Sequence, residues 1–504
     1  MTDKTVIIIG GGLGGLFTGA ILSKEGYKVT ILEKNQTIGG GLQNFSRFGV
    51  TFDTSMHIVG GMQCGGNIRR LCQWLGILNR IRILDVDKDC TDSIYFAEDK
   101  QTYRIAYGNE GFVRSLATYF PNEEENLRNY LKALYRITDE VDIFNLKPSD
   151  NYFKVHTDDF YISAHQFIEK YISDEKLRSI LAYMGTLYGA RKDETPAYVH
   201  AIINVLYING QSRFMGGSNL FADLLAGVIT DAGGTILTNA EVVNINSYQR
   251  NVNSVVTYDG KEYSADYYIS DIHPCSLFAI ADDNLFPKTY KERLNSLPNS
   301  YSAFSIYLKL KKNTFKFINH SEYYIKRYDQ MWDFGSSVSS EPIGFMFMTP
   351  PESCLQEYSE KALIAIPMNY SHVRKWEDSV VGHRGQDYRQ WKQEYADRVI
   401  SMVEEIHPNF RNCIENINIA SPLTIRDYYG VKEGSMYGFS KDYKNIIASQ
   451  VPVVTKVKNL YLTGQNNSLH GFCGVALTSI NTSEALLGRN YIINKLNACE
   501  GILS

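Results

Sequence analysis

Gly10, Gly12 and Gly15 stand at G-x-G-x-x-G spacing within VIIIGGGLGGL, and Glu33 follows the apolar run of KVTILEK. That spacing suits the cradling of a pyrophosphate. The first glycine permits a tight turn, the second lets backbone approach the phosphates, and the third lets a helix pack on a strand. Leu13 and Gly14 complete the loop, whose amides open a helix and so favour an anion. Glu33, with Lys34 beside it, is placed to accept from the ribose hydroxyls of an adenosine, and an acid there disfavours a 2′-phosphate. Glycines kept only for packing are the competing reading.

These residues need a strand, a turn, a helix and a second strand. The chain supplies them: an apolar strand to Ile9, a helix pattern through Ile21 and Leu22, a stop at Gly26, then KVTIL. A second helix is expected over Met215 to Gly234, with Leu220, Leu224, Leu225, Val228 and Ile229 on one face and a stop at Gly233. Strands TILTNAEVVNI, SVVTYDG and KEYSADYYIS follow, the last two joined by a hairpin at Asp259-Gly260. Glu123, Glu124 and Glu125 read as a solvated first turn ahead of Leu127, Leu131 and Leu134. The last block is a short strand (LYLTG), a polar loop and a helix opening at Gly474, Val475 and Ala476. No repeat or linker divides the chain, so its domains are expected to interleave.

Composition excludes several classes. Hydrophobic residues are 44% and charged residues 21% of 504, which excludes wholesale disorder. Lys plus Arg number 51 against 55 acids, a net charge of -4 without the basic excess of a nucleic-acid binder. The eight cysteines show no C-x-x-C pair and no zinc spacing, so no metal is expected and they read as reduced, mostly buried thiols of a cytoplasmic protein. No apolar run reaches the roughly 18 residues of a membrane span, and the N-terminus runs into a strand rather than a signal-peptide core. The 35 tyrosines either line an apolar cavity or reflect compositional drift.

After Glu33 comes EKNQTIGGGLQNFSRFGVTFDTSMHIVGG, with a second glycine turn at Gly39, Gly40 and Gly41, then Leu42 and a strand ending in Asp53, Thr54 and Ser55. This run resembles the motif of the large FAD-containing family of amine oxidases, phytoene desaturases, carotenoid isomerases and retinol saturases. The resemblance implies that this backbone and its small side chains follow the pyrophosphate and ribityl chain. GGTILTNAEVVNI with SADYYISDIHP is similar to the family's adenine-side strand, which implies that the backbone of Val243 lies near adenine. SPLTIRDYYGVKEGSMYG resembles the desaturase, isomerase and saturase branch, and NLYLTGQNNSLHGFCGVALTSI the C-terminal flavin motif. Where many relatives carry Gly-Asp this chain has Gly464-Gln465, and Gln can still bond a ribityl hydroxyl. Thr-Gly-Gln favours the saturase-like side of the branch. Helix amides at Gly474 and Val475 would point at the flavin pyrimidine and favour the negative charge of the reduced ring.

The resemblance implies a doubly wound α/β FAD-binding domain from residues 1–75, 196–275 and 422–490, an inserted α+β substrate domain from 76–195 and 276–421, and a tail over 491–504. The implied activity is FAD-dependent oxidoreduction at a C=C bond of a lipophilic polyene or isoprenoid. Saturation is favoured, with desaturation or isomerisation using the same geometry. His57 and His470, each in a flavin-facing glycine-rich turn, are the candidate proton donors, with a structural hydrogen-bonding role as the alternative for each. Tyr428 and Tyr429 are further candidates, Cys473 reads as inert, and His200, His273 and His407 as structural or surface residues. No second G-x-G-x-x-G follows a strand, so a tightly held NAD(P)H is disfavoured and the electron partner stays open. A flavin amine oxidase with an aromatic cage is the alternative enzyme. A binding protein like the GDP dissociation inhibitors is the remote alternative, which the intact loop and Glu33 oppose. A lipid-soluble substrate would bring the protein into peripheral contact with a membrane.

Overall fold

The computed structural model describes residues 4–149 and 154–500. Side chains of the Thr5–Ile9 strand alternate between two cores: Val6 and Ile8 face helices, while Ile7 and Ile9 face an antiparallel layer. Burial on both faces is what a central parallel strand requires. Its sheet runs Thr235–Leu237, Lys28–Leu32, Thr5–Ile9, Tyr267–Ser270, Leu460–Leu462, all parallel. Helix Leu13–Lys24 covers one face between Asn219–Asp231 and Gly471–Leu487. The strands Val242–Tyr248, Asn251–Thr257 and Glu262–Tyr263 cover the other.

Two expected strands are broken in two. TILTNAEVVNI ends its parallel pairing at Leu237, turns at Asn239 with φ +53°, and resumes in the antiparallel layer; KEYSADYYIS crosses back the same way. A strand cannot pair in both layers, so each run bends where it changes sheet. The Asp259-Gly260 hairpin forms, with Val256 opposite Glu262 and Gly260 at φ +80°. A second hairpin turns on Gln249 and Arg250, both at positive φ, without the usual turn residues.

The second sheet has seven strands, ordered Ile414–Ala420, Ser302–Leu310, Lys361–Met368, Gly344–Met348, Ser321–Ile325, Asp92–Phe96, Gln101–Ile105. Its pairings are antiparallel except that of Ser321–Ile325 with Asp92–Phe96, which joins an early and a late stretch of chain. Helix Gln386–Ile406 packs Val399, Ile400 and Val403 against Phe304, Ile306 and Leu308 of this sheet.

Four local expectations are corrected. Leu220 is 39% exposed, because it lies in the first turn of the Asn219–Asp231 helix while Leu224, Leu225 and Ile229 face the core. Glu123 is buried ahead of the Glu124–Asp139 helix and accepts the amides of Ser173 and Asp174. Only Cys72, Cys90 and Cys473 are buried, and Cys64 and Cys354 are exposed. Residues 491–500 of the expected tail form helix Tyr491–Glu500, held by buried Ile492, Ile493 and Leu496 and a Lys495–Glu25 ion pair; 501–504 lie outside the described residues.

Candidate functional site

The first glycine turn is built as its spacing requires. Gly10 has φ +104°, and a β-carbon on Gly15 would run into the Gly10 carbonyl, so the helix approaches the strand as only glycine allows. Glu33 ties the turn to the adjoining strand: Oε2 accepts the Gly11 amide at 2.7 Å and Oε1 the Asn35 amide at 2.8 Å. Each oxygen keeps a lone pair for a further donor. The Glu33 carbonyl accepts the Ala240 amide, which brings the start of the Val242 strand beside it; Val243 is 40% exposed there. Lys34 is exposed and its Nζ lies over Gly430.

The second glycine turn lands on the first. Gly39 donates to the Gly11 carbonyl at 2.7 Å, and a β-carbon on Gly40 would stand 3.2 Å from the Gly12 Cα. Asp53, Thr54 and Ser55 hold this turn from behind. Ser55 Oγ donates to the Gly41 carbonyl at 2.9 Å, and Thr54 Oγ1 donates to that of Gln43 at 2.9 Å. Asp53 Oδ1 accepts the amide and hydroxyl of Ser218, whose hydroxyl also reaches the Leu42 carbonyl. Burial raises the Asp53 pKa. The Tyr307 hydroxyl donates to the Thr54 carbonyl, and the Tyr429 hydroxyl lies against the Thr54 and Ser55 side chains. Tyr428 is exposed.

The third piece comes from the far end of the chain. A β-carbon on Gly14 would be 2.8 Å from Gly464 Cα and N, so the two loops touch. Asp271 sits between them, beside the amides of Gly15 and Gly12. Enclosure by protein pushes its pKa up to about 7, and the Glu33 charge adds to the rise. Sequence reasoning missed Asp271; an acid directly after a strand that returns to the glycine loops was the available signal. Gln465 follows Gly464 and is half-buried.

The Gly471–Leu487 helix begins three residues before the expected Gly474. Gly474 is a packing point, since a β-carbon there would meet Leu469 at 2.8 Å as the loop folds over the first turn. Val475 is buried beside it, and Ser479 Oγ donates to the Gly14 carbonyl, locking this helix to the Leu13 helix.

Touching glycine turns at the C-terminal edge of a parallel sheet, with Glu33 at the end of the neighbouring strand, have the architecture of a dinucleotide-binding protein. The chain belongs to the family described as flavin containing amine oxidoreductase, whose model matches residues 13–487. It is an FAD-dependent oxidoreductase. Among curated relatives, the all-trans-retinol 13,14-reductase of Danio rerio is 25% identical over 97% of this chain and 86% of its own. The 4,4'-diaponeurosporene oxygenase of Staphylococcus haemolyticus is 21% identical over 99% and 98%. Among solved structures, an oxidoreductase from Methanosarcina mazei superposes at TM-score 0.66 with 17% identity, covering 95% of this chain and all of its own. A putrescine oxidase superposes at 0.65 with 13% identity, covering 96% and 99%.

His57 and His470 both lie in loops beside these turns. Burial pushes each imidazole down to about 3, with Arg213 and Lys361 adding to the effect at His57 and Lys441 at His470. Both are neutral at pH 7. His57 Nδ1 and His470 Nε2 have no hydrogen-bond partner among the described residues. His470 lines an apolar cavity with Phe144, Val199, Ile202, Leu206, Leu469 and Cys473, and the Tyr437 ring stands 5.2 Å from its own. Burial drives the Cys473 thiol up to about 12, which leaves it protonated and inert. His200 is held between the hydroxyls of Tyr130 and Tyr188, His273 faces Asn299, and His407 faces Glu322. Arg213 and Tyr437 were invisible in the sequence, since nothing in their spacing separates them from core residues.

Proposed function

We propose that this enzyme acts on a carbon–carbon double bond of an apolar polyene or isoprenoid, with saturation as its direction. The observation that carries the reading is the cavity beside the first turn of the Gly471 helix, hydrocarbon-lined apart from Ser468, His470 and the Cys473 thiol. Relatives named all-trans-retinol 13,14-reductase, alignable over nearly the whole chain, support it. So do those named for 4,4'-diaponeurosporene oxidation and 4,4'-diapophytoene desaturation.

In this reading the glycine loop over residues 10–15 meets the pyrophosphate through the amides of Leu13 and Gly14, the Gly10 amide being given to the Leu32 carbonyl and those of Gly12 and Gly15 to Asp271. Glu33 takes the ribose hydroxyls, and the Val243 backbone meets adenine. Lys34 stays at the rim. The Gly40–Leu42 turn, braced by Asp53, Thr54 and Ser55, and the Gly464-Gln465 pair follow the ribityl chain. The Gly471 helix, with Gly474 and Val475 in its first turns, presents unpaired amides to the ring and favours negative charge there. Bound FAD supplies the two-electron chemistry. His57 and His470 are neutral acceptors or donors at its edge. Of the segments 76–195 and 276–421, the first contributes Phe144 to this cavity, whose other walls come from residues 199–206 and 468–477. A lipid-soluble substrate is met at a membrane surface; no described helix is long and apolar enough to cross one.

The test is a visible spectrum of the purified protein, anaerobic photoreduction, then retinol, a carotenoid and a simple amine in turn. Reoxidation of the reduced enzyme by a polyene is the expected result, with product analysis fixing the bond. Bleaching of the oxidised flavin by the amine would make it an amine oxidase.

A further inference from the structure

Arg213 is 1% exposed, yet no carboxylate pairs with its guanidinium among the described residues. It donates only to neutral groups: the carbonyls of Ile318 and Thr349 and the Ser321 hydroxyl. Its Nε has no hydrogen-bond partner among the described residues. The charges of Asp92 and Glu322 act on it from beyond contact distance, and a buried cation without a contacting counter-charge is costly enough that proteins normally pair it or give it a ligand. Burial lowers its pKa only to about 10, so it remains charged at neutral pH.

Arg213 lines a small cavity with Asp53, Met56, His57 and Met348. His57 brings the second orphaned atom there, Nδ1. The charges of Arg213 and Lys361 both act on His57. The other charged groups are committed elsewhere: Lys361 to the Thr51 carbonyl and Glu352, and Asp53 Oδ1 to Ser218. Two unused nitrogens lining one niche, whose other walls are hydrocarbon apart from the Asp53 carboxyl, match the two oxygens of one carboxylate, with the His57 proton on Nδ1.

We propose that this cavity is a carboxylate subsite, and that the apolar substrate carries a terminal carboxylate bound by Arg213 and His57. The proposal rests on the apolar-substrate reading and narrows its class from polyenes in general to polyene or long-chain acids.

The experiment titrates the oxidised, FAD-loaded enzyme with retinoic acid and with retinol, which share one chain and differ at one end, reading Kd from the flavin band. The acid is expected to bind roughly 10–100-fold more tightly, the range of a charge-assisted hydrogen bond. Arg213→Met should remove that difference and leave retinol binding and FAD content unchanged. Equal binding of acid and alcohol by the wild-type enzyme overturns the carboxylate subsite while the apolar-substrate reading survives; this comparison decides even where the variant does not fold. A preference that persists in Arg213→Met overturns the assignment to this cavity. Perturbation by neither compound sinks the apolar-substrate reading itself.

Discussion

Gly14 and Gly464, from opposite ends of the chain, meet so closely that a β-carbon on the first would stand 2.8 Å from the backbone of the second. Gly14→Ala should therefore push the last strand's loop off the first helix. We expect loss of bound FAD and destabilisation of about 1–3 kcal/mol, the usual range for overpacking. Absorbance at the flavin band per protein and a thermal melt check this. Gly227→Ala is the control: it lies in the Asn219–Asp231 helix with nothing within 4 Å of its β-carbon, and should gain about 0.5–1 kcal/mol.

Asp271, with its pKa near 7 beside the Gly12 and Gly15 amides, predicts a pH-dependent FAD affinity. A pyrophosphate repels the charged carboxylate, so the protonated form binds FAD better. Affinity should fall as pH rises above about 7, by at most about tenfold per unit. Asp271→Asn should flatten the dependence, read from the quenching of FAD fluorescence between pH 6 and 9.

Lys441 is a second buried cation, its Nζ donating to the carbonyls of Ser449 and Asn467. Burial holds its pKa down to about 8. Between pH 8 and the ordinary lysine value the unfolded chain binds more protons, so stability contributed here rises with pH, on the order of 3 kcal/mol in full. Lys441→Met should be more stable than wild type at pH 7 and lose that advantage by pH 10, measured as the difference between paired denaturant melts.

His57, His200 and His470 are each held near 3 by burial, against 6.5 for a free imidazole. The unfolded state therefore gains protons first on acidification, and stability should drop from about pH 6.5 downward. Melting temperature from pH 7.5 to 5 checks the direction, and His470→Phe should make the slope shallower. Turnover should show no inflection from His57 or His470 between pH 5 and 8. His57→Gln with bound flavin should lose about 10²–10⁴ in turnover if its imidazole moves a proton, and nothing if it only braces the loop.

The glycine loops were legible because positive φ and close backbone approach leave few alternatives to glycine, and Gly10, Gly39 and Gly40 all adopt it. The Leu127, Leu131 and Leu134 stripe was legible because its helix needs only local periodicity. Less accessible was what depends on distant chain. Whether TILTNAEVVNI is one strand or two depends on which partners stand beside it, and the burial of Glu123 depends on amides from Ser173 and Asp174. Arg213 and Asp271 follow the same logic: each looks like an ordinary polar residue until a loop from elsewhere encloses it.

The seven-stranded sheet pairs Ser321–Ile325 with Asp92–Phe96, and the parallel sheet receives its edge strand only at Leu460–Leu462. During synthesis, then, neither layer can close until most of the polypeptide has left the ribosome. The early hydrophobic stretches must wait, exposed, for partners hundreds of residues downstream, which favours slow folding and invites chaperone capture. Truncations that spare every glycine of the N-terminal turn should accordingly yield aggregates rather than a small nucleotide-binding module.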